Sequence, residues 1–259
     1  MKLHNESADL LIPDGRETTE ALARTTHLGI GAHQDDLEVM AYHGIATCYG
    51  RRDRWFGGIT CTNGAGSSRT GIYADLSDED MIAVRRDEQR KAAILGQYSA
   101  MVQLDYASTV IKDPQSSLLQ DDLRTLLAAM KPDVVYTHNP ADKHPSHIGV
   151  VVASIGALRE LPGDDRPRKV YGCEVWRNLD WLPDDEKVAL DVSERPNVAT
   201  ALVSLFDSQI SGGKRYDLAT LGRWQANATY LESHAVDSAG MLALVERRSN
   251  LSYEDFDET

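Results

Sequence analysis

Apolar runs of strand length alternate with segments of helical period along most of this chain, and that alternation admits few folds. The first run is His27-Leu28-Gly29-Ile30-Gly31-Ala32, followed by a helical stretch over about Leu37 to Tyr49. Next come Trp55 to Cys61, a Gly/Ser/Asn-rich loop from Thr62 to Gly71, and a long helix over about Asp78 to Leu95. Met101 to Leu104 and Asp133 to His138 read as strands. Between them a helix from about Ser116 to Met130 carries leucines at helical spacing and is stopped by Lys131-Pro132. A helix starts near Ser146, two strands follow at Lys169 to Trp176 and Val188 to Val192, and helices over about Asn197 to Ser211 and Asp217 to Ser233 come after them. Repeated strand–helix units predict an α/β fold, a Rossmann-like three-layer sandwich with a mainly parallel sheet. No Pro-, Gly- or Ser-rich linker and no internal repeat divides the pattern. One domain is expected over residues 1–259, with 1–26 as an N-terminal extension and 247–259 as an acidic tail.

Charge narrows the partners. Lys and Arg number 27 against 40 Asp and Glu, a formal net charge of -13. A chain this acidic is repelled by nucleic acid and by anionic membrane surfaces. No stretch approaches the roughly 20 apolar residues of a membrane-spanning helix, and the N-terminal segment lacks the apolar core of a signal peptide. Cys48, Cys61 and Cys173 are odd in number and widely spaced, so neither a disulfide framework nor a Cys-based zinc site is expected. These features together predict a cytoplasmic protein.

Two strings carry chemistry. Ala32-His33-Gln34-Asp35-Asp36-Leu37-Glu38 follows the first strand, and His138-Asn139-Pro140-Ala141-Asp142-Lys143-His144-Pro145-Ser146-His147 follows the fourth. In the common strand order 3-2-1-4-5-6, strands 1 and 4 flank the point where order reverses, and ligands bind there beyond the strands' C-terminal ends. The two strings would then meet despite about 110 residues of chain between them. Imidazole and carboxylate are standard zinc ligands, and a catalytic zinc keeps three protein ligands and one open position. His33, Asp36 and His147 can supply that set, one zinc (or Fe2+ or another divalent metal) per chain. Asp35 is then free to act as general base, and His144 to donate a proton to a leaving amine or to steady an oxyanion. Each string alone has a plainer reading: adjacent aspartates after a strand often only cap a helix. Their shared position at one sheet edge favours the metal. Gly29-Ile30-Gly31 resembles the start of a dinucleotide fingerprint, but Asp35 and Asp36 would repel a pyrophosphate. Arg69, in the loop after the second strand, is a candidate for a sugar hydroxyl or a phosphate. Trp176 and Glu174 end the fifth strand-like run at the same edge.

The two strings resemble the PIG-L/LmbE deacetylase family, whose signatures read A-H-P-D-D-x-E and D-x-H-x-D-H. Thr62-Asn63-Gly64-Ala65-Gly66 is similar to its T-x-G-x-G segment, Arg85 to Gly96 to its R-x-x-E helix, and Ser208-Gln209 to its S-Q. The resemblance implies metal ligation by His33, Asp36 and His147, a general base at Asp35, assistance from His144, and a substrate-pocket role for Arg85. It further implies zinc-dependent removal of an acetyl group from an N-acetylglucosamine-type substrate, a small-molecule N-acetylated sugar or conjugate, and it allows a homo-oligomer. Two residues depart from the pattern. Gln34 stands where the family has proline, and Ser146 where it has an aspartate between the histidines. Asp142 is the candidate to replace that carboxylate and to contact substrate. Two rival readings stand beside the deacetylase: an amidase for a larger thiol or antibiotic-like conjugate at the same site, and a sugar- or nucleotide-binding protein without turnover.

Overall fold

A computed structural model of the chain describes residues 2–232 and 234–247. Its elements in order are β1 (Asp9–Leu11), α1 (Thr18–Ala23), β2 (His27–Gly31), α2 (Asp36–Met40), α3 (Tyr42–Cys48), β3 (Phe56–Thr62) and α4 (Asp78–Leu95). There follow β4 (Met101–Tyr106), α5 (Ser108–Ile111), α6 (Leu118–Met130), β5 (Val134–His138), α7 (Pro145–Arg159) and β6 (Lys169–Cys173). The last are β7 (Lys187–Asp191), α8 (Pro196–Val203), α9 (Asp207–Ile210), α10 (Tyr216–Tyr230) and β8 (Leu242–Arg247). The strands form one sheet in the order β1-β4-β3-β2-β5-β6-β8-β7.

The five central strands are parallel and follow the expected 3-2-1-4-5 order, counting from β2. Their connections leave β2 in one direction and β5 in the other, so the reversal point lies between these two neighbours. The sixth expected strand departs from the pattern. Leu242–Arg247 inserts antiparallel between β6 and β7, and β7 becomes the edge. The sequence reading places no strand there, nor at Asp9–Leu11, which pairs antiparallel with β4. Residues 248–259 of the expected acidic tail lie outside the described residues.

Helices cover both faces. On one, α1, α6 and α7 pack around Leu28, Ile30, Ile59, Val102, Leu126 and Val150. On the other, α2, α3, α8 and α10 pack around Leu37, Ile45, Phe56, Tyr136, Leu202 and Trp224. Side chains alternate across a strand, so Leu28 and Ile30 point to the first layer and Gly29 and Gly31 to the second. There α2 lies almost on the backbone. A Cβ at Gly29 would sit 2.9 Å from Leu37 Cδ2 and from Phe56 Cζ, and one at Gly31 would sit 3.0 Å from Asp36 Cβ. The Gly-x-Gly spacing therefore serves close helix–strand packing, which brings the start of α2 down onto the strand end.

Two expected helices are each divided. Ala41, with φ −113° and ψ 15°, separates α2 from α3. Residues 204–206 separate α8 from α9, with Phe206 at φ −87° and ψ 59°. Apolar periodicity continues across both breaks, because short helices on one sheet face bury the same stripe as one long helix. Among the described residues, no helix is long and apolar enough to cross a membrane.

Candidate active site

The turn from β2 into α2 is strained. Asp35 caps α2 with φ 89°, a left-handed conformation that a residue with a Cβ rarely adopts. Its surroundings hold it there. Its backbone N–H donates to Gln89 Oε1 at 3.2 Å, and Arg85 Nη2 donates to its Oδ2 at 2.9 Å and also to the carbonyl oxygen of Gln34. Arg85 is itself buried and clamped by Glu88 Oε2 at 2.9 Å, and Glu88 accepts from both the backbone N–H and the hydroxyl of Ser208. The R-x-x-E helix and the Ser208-Gln209 pair are thus one scaffold that presents Asp35. Burial pushes the Asp35 carboxyl up from its ordinary value, against the pull of Arg85.

One residue on, Asp36 turns its carboxylate beneath the sheet edge. Oδ2 accepts the His33 backbone N–H at 2.7 Å, lies 3.4 Å from His33 Nδ1, 3.7 Å from His147 Nε2, and 3.2 Å from His138 Nε2. Burial would raise its pKa, but His147 and His138 outweigh that and hold the carboxyl well below the ordinary value. His33 Nδ1 and His147 Nε2 face each other at 3.3 Å. A tetrahedral zinc with bonds of about 2.0–2.1 Å spaces its donors about 3.3–3.4 Å apart, so the three predicted ligands stand close to the separations such an ion requires. His147 has its other nitrogen on Asp142 Oδ2 at 3.0 Å, which leaves the Nε2 lone pair for the cluster. Among the described residues two further trios overlap with this set, each with its donor atoms within 4.8 Å of one another: His33, His144 and His147, and Asp36, His138 and His147.

His144 caps α7, and its Nδ1 accepts the Ser146 backbone N–H at 3.3 Å, which puts the ring proton on Nε2. Burial, with His33 and His147 beside it, lowers its pKa below 6.5. Asp142 is buried behind His147. Its Oδ1 accepts the His144 backbone N–H at 2.8 Å and the Trp176 indole N–H at 3.2 Å. It braces His147 and meets the backbone of His144, not its ring, so Asp142 does not replace on that ring the carboxylate missing at Ser146. Arg69 is brought to neither string. Its guanidinium donates to the Ala65 carbonyl at 2.8 Å and pairs with Asp78 at the start of α4, and it does not line the cavity. Arg85 does line the cavity, with its guanidinium committed to Asp35 and Glu88.

His138, the last residue of β5, joins the cluster from the strand end. It is wholly buried, its ring stacks on His147 at 3.9 Å and 10°, and burial lowers its pKa to about 4. Glu38, the last residue of the first motif, accepts from Tyr98 Oη at 2.6 Å and Gln89 Nε2 at 2.9 Å, and burial raises it to about 7. Its place in the motif was legible, its partners in α4 and beyond were not. Gln34 fills the proline position by donating to the Thr62 carbonyl at 3.1 Å, which ties the turn to β3.

The cluster opens into a cavity of about 590 Å³. Its lining includes the loop 62–68, Ser108, Thr109 and Lys112, together with Trp176 and Tyr216. Gly64 sets the loop's path. It has φ +77°, and a Cβ there would meet Gln34 Oε1 at 2.8 Å and Arg85 Cβ at 3.0 Å. Gly64→Ala is expected to destabilise the fold by about 1–3 kcal/mol, read as a lower urea midpoint at unchanged slope. An unchanged midpoint would show that the loop does not depend on this conformation.

Comparison with known proteins gives a family and a shared fold. A family model described as GlcNAc-PI de-N-acetylase matches residues 28–158, half of the chain. No curated protein sequence matches significantly. Among solved structures, N,N'-diacetylchitobiose deacetylase from Pyrococcus horikoshii superposes with TM-score 0.69 at 15% identity, over 93% of this chain and 90% of that one. The conserved protein TT1542 from Thermus thermophilus gives 0.67 at 17% identity, over 86% and 94%. GalB, the 4-carboxy-2-hydroxymuconate hydratase from Pseudomonas putida, gives 0.64 at 14% identity, over 86% and 96%. At such identities the likeness is one of fold, and a hydratase on the same scaffold illustrates that a fold does not choose a reaction.

Proposed function

The chain belongs to the GlcNAc-PI de-N-acetylase (PIG-L) family, and from that premise we propose that it is a metal-dependent deacetylase that hydrolyses the acetamido group of an N-acetylglucosamine-type substrate. We assign one zinc ion per chain, held by His33, Asp36 and His147. The observation that carries this reading is the convergence of those three donor atoms at 3.3, 3.4 and 3.7 Å, with Asp35 lining the same cavity.

Bound there, zinc supplies a Lewis acid for the acetyl carbonyl and lowers the pKa of the attacking water. The chain's own residues do the rest. Asp35 takes the proton from the water as its oxygen adds to the carbonyl carbon. A carboxyl raised by burial suits that work, since a stronger base removes the proton more readily. Arg85 aims it. His144 is neutral near pH 7 because its pKa is lowered, and its Nε2–H donates a hydrogen bond to the oxygen that gains charge. The proton on Asp35 then passes to the leaving nitrogen as the C–N bond breaks, and the products are acetate and a free amine.

The test is direct. Zinc-loaded protein is incubated with N-acetylglucosamine, diacetylchitobiose and larger acetylated glycoconjugates, and acetate and new primary amine are measured together. Equal release of both from at least one N-acetyl sugar is expected. Turnover confined to larger conjugates would favour the amidase reading, and no turnover with zinc bound would sink both.

A further inference from the structure

We propose that Trp176 is a positioning residue for the metal centre, acting through Asp142 on His147. This inference rests on the metal reading above and extends it to a residue beyond the segment that the family model covers, which ends at residue 158.

Three observations converge on it. The Trp176 indole Nε1–H donates to Asp142 Oδ1 at 3.2 Å, while the other oxygen of the same carboxylate accepts from His147 Nδ1 at 3.0 Å. The Trp176 ring also stacks near the His147 ring, with centroids 5.9 Å apart and planes at 18°. Finally, Lys143 Nζ lies 4.3 Å from the Trp176 ring centroid, so the segment that carries Asp142 grips the indole by a cation–π contact too. Asp142 shows no exposed side-chain surface. Its Oδ1 has two donors, the His144 backbone N–H and the indole N–H. If the indole donor is lost, the carboxylate can rotate and His147 loses its fixed tautomer and aim. A carboxylate–histidine–metal triad is sensitive to this: loss of an outer partner typically costs 10–100-fold in metal affinity. Trp176 also lines the cavity, with His33, Asp36 and His147.

Trp176→Phe keeps an aromatic ring and removes the indole donor. Zinc affinity is measured by chelator competition, and ligand geometry by the visible d–d spectrum of the cobalt-loaded protein. The same is done for Asp142→Asn and for the double variant. Zinc binding is expected to weaken about 10-fold in Trp176→Phe, with a shifted cobalt spectrum. In the Asp142→Asn background the further change to Phe is expected to add less than about 2-fold, since both changes break one relay. Parent-like affinity and spectrum in Trp176→Phe would overturn the inference while the metal reading stands. Fully additive losses would also overturn it, because they would mean that Trp176 acts by packing alone. Failure of the parent chain to bind zinc or cobalt would overturn both.

Discussion

Asp35→Asn is expected to lower kcat/KM by about 10²–10⁴-fold while zinc content stays at one per chain. The substitution keeps the size of the side chain and can still accept from Arg85 Nη2, which stands 2.9 Å from Oδ2. It removes the negative charge that faces Arg85 and, with it, the capacity to take a proton. The proposed metal ligands are untouched, because Asp35 is not one of His33, Asp36 and His147. The pH profile sharpens the expectation. Burial raises the Asp35 pKa in the folded protein, and a base works only when deprotonated. Activity should therefore fall as pH falls through that raised pKa, with an acid limb above the ordinary carboxylate range. The residual activity of Asp35→Asn should lack that limb. Parent-like turnover in the variant would remove Asp35 from the role of base.

His147→Ala is expected to abolish the zinc response. Removal of one of three ligands should weaken zinc by more than about 100-fold, beyond the 10–100-fold typical of outer partners. The clean readout is thermal. With free zinc at about 100 times Kd, the parent gains about 2.7 kcal/mol of stability and a higher Tm. The variant at the same zinc concentration should show almost no shift. His147→Ala also leaves Asp142 buried beside a gap and lowers stability without metal. The comparison is therefore the zinc-induced shift within each protein, from which that loss cancels. An undiminished shift in the variant would mean that the ion is held by a set without His147, and the proposed set of His33, Asp36 and His147 would fall, together with the two overlapping trios, since each includes it.

The sheet's parallel core and the ends of its strands are legible in sequence because the physics there is local. A fully buried strand is a short apolar run, and the turn after it must begin a helix, so the pattern alone sets His33 to Asp36 and His144 to His147 at one edge. The antiparallel insertion of β8 was not legible. Nothing local distinguishes Leu242–Arg247 from another apolar segment, and its place between β6 and β7 depends on pairing with Lys187–Asp191, more than fifty residues earlier. Asp142 and Arg85 show the same limit within the site. The motifs point both at the substrate, but one meets His147 and the other Asp35, because a buried charge must find its partner wherever the fold supplies it.

By itself, then, the sequence determined the residue types that can take a cation and a proton, the edge of the sheet at which they gather, and the glycines that let α2 descend onto β2. Only the tertiary structure decided which side chain braces which. The approach of His147 to His33 at 3.3 Å and to Asp36 at 3.7 Å, the Arg85–Asp35 pair and the Trp176–Asp142 link of the relay join residues 34 to 114 positions apart. Such contacts arise from packing between distant segments, which local periodicity does not encode.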